Sequence, residues 1–76
     1  MANELAQFQS RIEAERVMRR VNILAGGEYD PYLEQCTVLR DSMAHVLTVT
    51  RSEEHQGWWA VLVTEYPVES DYKVYT

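Results

Sequence analysis

The stretch Gly57–Pro67, GWWAVLVTEYP, constrains the fold of this chain more than any other. Aromatic and β-branched residues fill it and a proline closes it, which reads as a β-strand. Alternation puts Trp58, Ala60, Leu62 and Tyr66 on one face and Trp59, Val61 and Val63 on the other. A strand that is apolar on both faces normally lies between two layers. A chain of 76 residues buries roughly 60% of its unfolded surface, enough for one modest core. What covers the second face is therefore the main question this sequence poses.

Next to that strand, HVLTVTR (45–51) is also rich in β-branched residues, and the polar loop Ser52–Gln56 joins the two into a hairpin over about 45–66. Pro67 interrupts pairing and Val68–Asp71 bends the chain. YKVYT (72–76) reads as an edge strand, with Lys73 as a protecting charge. At the other end, residues 2–25 read as one long helix. They contain no Gly or Pro, Asn3 is the N-cap, and Gly26-Gly27 is the stop. The apolar stripe of this helix changes sides. Leu5, Phe8 and Ile12 share one face, while Ala14, Val17, Met18, Val21 and Leu24 lie nearly opposite. Either the helix kinks near Ala14 or it serves two partners. Straight, it would span roughly 36 Å, longer than a domain of this size is wide, about 30 Å. Its Leu5-Phe8-Ile12 end would then have little of its own chain to cover it.

Between these regions, Asp30-Pro31 forms a cap and first turn, and Tyr32, Cys36, Leu39, Met43 and Val46 recur at helical spacing. This predicts a second helix over about 31–43. The competing reading is a strand over Leu33–Arg40, supported by Thr37-Val38 and by a turn at Arg40-Asp41-Ser42. The expected architecture is α+β in a single domain, with a long N-terminal helix and a second helix packed on a small antiparallel sheet of about three strands.

Composition excludes several classes. There is no apolar run near the ~20 residues that a membrane helix needs, and MANELAQF lacks the features of a signal peptide. A single cysteine, Cys36, forms no internal disulfide, and a reducing cytoplasm is the expected compartment. Residues 1–25 carry four Arg and three Glu, whereas residues 26–76 carry nine acids against Arg40, Arg51 and Lys73. So acidic a body disfavours direct contact with nucleic acid and suits a protein that meets basic surfaces.

No constellation of catalytic or metal-binding residues emerges. Were 31–45 helical, Cys36 and His45 would point to opposite sides, and Asp41 with His45 would form a surface pair. Cys36 reads as a buried structural thiol. Glu53, Glu54 and His55 match no metal-ligand spacing and read as a solvated loop. No cofactor, metal or catalytic residue is expected. The aromatic residues Trp58, Trp59, Tyr66, Tyr72 and Tyr75 gather near the C-terminus, and adjacent tryptophans in a strand face opposite ways. Aromatic residues and arginine, which outnumbers lysine six to one, recur at interface hot spots.

The candidate partner-binding residues are therefore Leu5, Phe8, Ile12, Trp58, Trp59, Tyr66, Tyr72 and Tyr75. The function expected is that of a small acidic interaction protein, a regulator or inhibitor that binds a second copy or a larger host protein. In size and charge, and in these alone, it is similar to the inhibitors that bacteriophages use against host enzymes, anti-CRISPR and nucleic-acid-mimic proteins among them. The alternative is a subunit of an oligomeric ligand-binding protein or small enzyme, with Tyr32, Asp41 and His45 at a pocket between subunits.

Overall fold

A computed structural model describes residues 2–68. Its elements run β1 (Ala2–Phe8), α1 (Arg11–Leu24), β2 (Glu28–Asp30), β3 (Gln35–Arg40), β4 (Met43–Arg51) and β5 (Trp59–Pro67). The five strands form one antiparallel sheet in the order β1-β5-β4-β3-β2. α1 leaves β1 at one edge, crosses one face of the sheet and delivers the chain to β2 at the other edge. The strand that raised the question of cover, β5, is flanked by β4 and β1. The expected edge strand at 72–76, with Tyr72 and Tyr75, lies outside the described residues.

The expected helix over 2–25 is wrong in its first third, and the sheet has five strands where about three were expected. Residues 2–8 have helix-forming composition, yet they form β1 because β5 offers them a hydrogen-bonded ladder from Ala2–Thr64 to Phe8–Trp59. Tertiary pairing overrides a weak local preference. The helix is capped by Ser10, not Asn3. Ser10 sits in extended backbone and its hydroxyl accepts from the Glu13 N–H at 3.4 Å. The apolar stripe changed sides because two elements meet there. At the other end, the Gly27 N–H bonds to the Asn22 carbonyl and the Gly26 N–H to the Ile23 carbonyl, with Gly26 left-handed at φ 73°. This is the double bond of a glycine stop. Gly27 is tight for a different reason: a Cβ there would collide with Asn22, Val38 and the Thr37 carbonyl.

The second helix expected over 31–43 does not form, and the competing strand occupies that region. Asp30 does cap, but it caps a turn: its carboxylate accepts from the N–H groups of Tyr32 and Leu33 at 2.8 and 3.1 Å. β3 follows, with Cys36 and Val38 buried on alternate positions. Asp41 and Ser42 then make a two-residue hairpin turn, both left-handed at φ 54° and 62°. The helical spacing of Tyr32, Cys36, Leu39 and Met43 was coincidental. Thr37 and Val38, stiff at χ1, favour the extended form once β4 is beside them.

Candidate functional site

The sheet has one covered face and one that is covered only at an end. Register assigns the side chains. On the covered side lie Trp59, Val61 and Val63 of β5, Leu47 and Val49 of β4, Cys36 and Val38 of β3, and Ala6 and Phe8 of β1. Ala14 and Met18 of α1 close over them, so that Ala14, Met18, Cys36, Leu47 and Val61 form the buried core, with Phe8, Tyr29 and Trp59 packed at its margin. Burial pushes the Cys36 thiol above its ordinary value, with the nearby Arg19 charge opposing.

The opposite face carries Ala60, Leu62, Thr64 and Tyr66 of β5, Ala44, Val46, Thr48 and Thr50 of β4, and Thr37 and Leu39 of β3. One end of this face is covered by the chain itself. A bulge at Leu5 shifts the β1 register, so Glu4 and Gln7 come to lie on the same face, opposite Leu62 and Ala60. The Glu4 carboxylate then gathers the β4–β5 loop. It accepts from the Gln7 amide at 3.0 Å, the Ser52 hydroxyl at 2.7 Å, and the N–H groups of Glu53 and Glu54 at 2.8 and 3.4 Å. The Ser52 hydroxyl in turn accepts from the His55 N–H at 2.8 Å, and the His55 ring stacks on Trp58 at 3.9 Å. Folded back in this way, the loop end of the face leaves Ala60 with 0% of its surface exposed. Hydrogen bonds to its charged form, from Gln7 first and then Ser52, Glu53 and Glu54, hold the Glu4 carboxyl down at about 2.

Among the described residues, nothing covers the other end of the face. Leu39, Ala44 and Tyr66 form one row across three strands, and Thr37, Val46 and Thr64 form the next. Leu39 is 60% exposed and Tyr66 53%. Among the described residues, the charged side chains on this side of the sheet are all acidic. Glu28 and Asp30 of β2 lie on this side, as do Glu4 and the loop that bears Glu53 and Glu54, and Asp41 sits at the turn beside Leu39. All six arginines lie on the other side: Arg11, Arg16, Arg19 and Arg20 on α1, and Arg40 and Arg51 on strand positions that share the α1 face. The sheet thus separates charge, with an apolar patch at the centre of its acidic side.

The structure scatters the residues singled out from the sequence. Trp59 sits on the covered face, with the Arg11 and Arg51 guanidinium groups 5.4 and 4.5 Å from its ring. Phe8 lies beside it at the core margin, and Trp58 belongs to the loop end of the open face. Leu5 at the bulge and Ile12 in the first turn of α1 are exposed, away from each other's neighbours in the sheet. Of the candidates within the described residues, Tyr66 alone stands in the exposed apolar rows. Its companion Leu39 was missed because the helical reading of 31–43 hid the alternation of Thr37 and Leu39 against Cys36 and Val38. The exposed Val21 and Leu24 share one side of the last turns of α1, while Ile23 points away from them.

The expected Asp41–His45 surface pair is replaced by a cross-strand pair: His45 Nδ1 lies 3.1 Å from Glu65. Tyr32 precedes β3 and Asp41 follows it, so one chain holds them at opposite ends of that strand. Among the described residues no group of three or more His, Cys, Asp or Glu could hold a metal, and no helix is long and apolar enough to cross a membrane. Comparison of the chain with protein-family models, curated proteins and solved structures finds no match in any of the three.

Proposed function

We propose that this protein acts by binding another protein, through the open end of its helix-free sheet face. The observation behind this is the coincidence, among the described residues, of exposed apolar rows with acidic side chains on the same side of the sheet. A partner suited to this face presents apolar side chains in the middle and Lys or Arg around them, so that steering and register come from the rim and affinity from the centre. A second copy suits it less well, because the same acidic rim would be brought against itself. Regulation or inhibition by occupying a basic surface of a larger protein is the activity that fits.

The test is site-specific photo-crosslinking from position 39 in a cell extract, with position 23 on α1 as the control. The partner captured from position 39 is then purified and its affinity measured. Leu39→Ser with Tyr66→Ser should weaken binding by about a hundredfold, as expected when exposed apolar anchors at the centre of an interface are truncated. Binding by the unaltered chain should fall with added salt. Equal capture from position 23, or a salt-resistant homodimer that buries Leu39, overturns the proposal.

A further inference from the structure

A different edge of the sheet is also unfinished. The β3–β4 ladder ends where Cys36 pairs with Leu47, while β4 continues to Arg51. The direction of the remaining backbone groups follows from two bonds at the ends of the β4–β5 pair. The Ser52 N–H bonds to the Trp58 carbonyl and the Val68 N–H to the Ser42 carbonyl. Even-numbered positions along β4 therefore bond β5, and odd-numbered ones turn the other way. Met43, His45 and Leu47 meet β3 in this way. Val49 and Arg51 present their N–H and C=O groups on the same side, beyond the end of the β3 ladder.

The surroundings of this gap differ from every other edge. A cleft of about 130 Å³ lies beside it, lined by Arg11, Met18, Arg19, Tyr29, Glu34 and Val49 among others. Arg19 stacks on Tyr29 at 3.9 Å and Arg51 on Trp59 at 4.5 Å. A stacked guanidinium keeps its in-plane N–H donors available, and among the described residues neither arginine has a carboxylate partner. Arg11 is held by Glu15 at 3.0 Å. The outer edges of the sheet are blunted by other means: β1 carries the Leu5 bulge and β2 is only three residues long.

We propose that this gap is a strand-addition site for an extended peptide bearing acidic side chains. The peptide continues the line of β3 and completes the ladder at Val49 and Arg51. Its side chains on the α1 side meet Arg19 and Arg51 and are therefore Asp or Glu at alternate positions. This site is distinct from the open rows of the helix-free face: it lies at the edge of β4 and takes the opposite charge.

Selection of randomised short peptides against the full chain tests it, followed by amide NMR titration of the chain with the peptides selected. The expected peptides carry acids at alternate positions, and they shift the Val49 and Arg51 amides and protect them from exchange. Arg19→Gln with Arg51→Gln should weaken them by about tenfold or more, the range expected on losing charge-assisted contacts, while the rest of the spectrum stays unchanged. Selection without enrichment overturns the proposal. So do peptides that are basic or unpatterned, and peptides that move Leu39 and Tyr66 but leave the Val49 and Arg51 amides unmoved.

Discussion

The two faces of this sheet are built from the same strands and held by different forces. The α1 side buries Met18, Cys36, Leu47 and Val61 against one another, and its stability comes from apolar area removed from water. On the opposite side the only cover among the described residues is the β4–β5 loop, fastened to Glu4 by hydrogen bonds. Cover of the first kind does not depend on a charged group. Cover of the second kind depends on one carboxylate staying ionised. Among the described residues, the fold is thus stabilised chiefly from one side of its sheet.

The largest expected effect is on the helix side. Met18 is 2% exposed, and Met18→Ala should lower the unfolding free energy by about 2–5 kcal/mol, read from urea titration. A loss no greater than that of a surface substitution would mean that α1 is not what stabilises the sheet. A smaller effect should follow from Glu4→Gln. Because the Glu4 carboxyl titrates at about 2 and not at its ordinary 4.5, its ionised form stabilises the fold above that ordinary value, and the contribution fades as pH falls towards 2. Unfolding midpoints measured between pH 6 and about 2 should therefore decline less steeply in the variant. Parallel declines would show that the loop is held by something else.

Smaller still is the turn at the open end. Ser42 is left-handed at φ 62°, a conformation that disfavours side chains, and Ser42→Gly should stabilise by up to about 1 kcal/mol in thermal unfolding. Leu39→Thr belongs at the bottom of the scale. It should change stability by no more than about 0.5 kcal/mol, because the side chain already stands in water. A large loss there would mean that the open rows are part of the core, and the contrast between the faces would disappear.

The hairpin was legible in the sequence, because β-branched alternation in HVLTVTR and GWWAVLVTEY is a local signal and the strands that use it are adjacent. The assignment of Trp59, Val61 and Val63 to one face and Leu62 and Tyr66 to the other follows from the same alternation. β1 was not legible, because nothing in ANELAQF favours a strand until β5 lies beside it. One local sign did mark the boundary: Ser10 followed by Glu13 is the start signature of a helix, and it stands just where the apolar stripe changes sides. The open rows were out of reach for a related reason. Leu39 joins Tyr66 only through Ala44, so the patch exists only once three strands are in register. The Glu4 contacts lie further off still, since the loop residues that it holds are separated from it by most of the chain.

The order of the strands has a consequence for folding. The meander from β2 to β5 joins neighbours in sequence and can close early, but β1 pairs with β5, Ala2 meeting Thr64 and Phe8 meeting Trp59. Forming that pair closes nearly the whole described chain into a single loop, which is entropically unfavourable until β5 is already held by β4. The meander should therefore assemble first and the first-made strand dock last, bringing Glu4 to the loop only at the final step. Until β1 docks, the β5 edge carries unpaired backbone groups, the kind of edge that other strands can join.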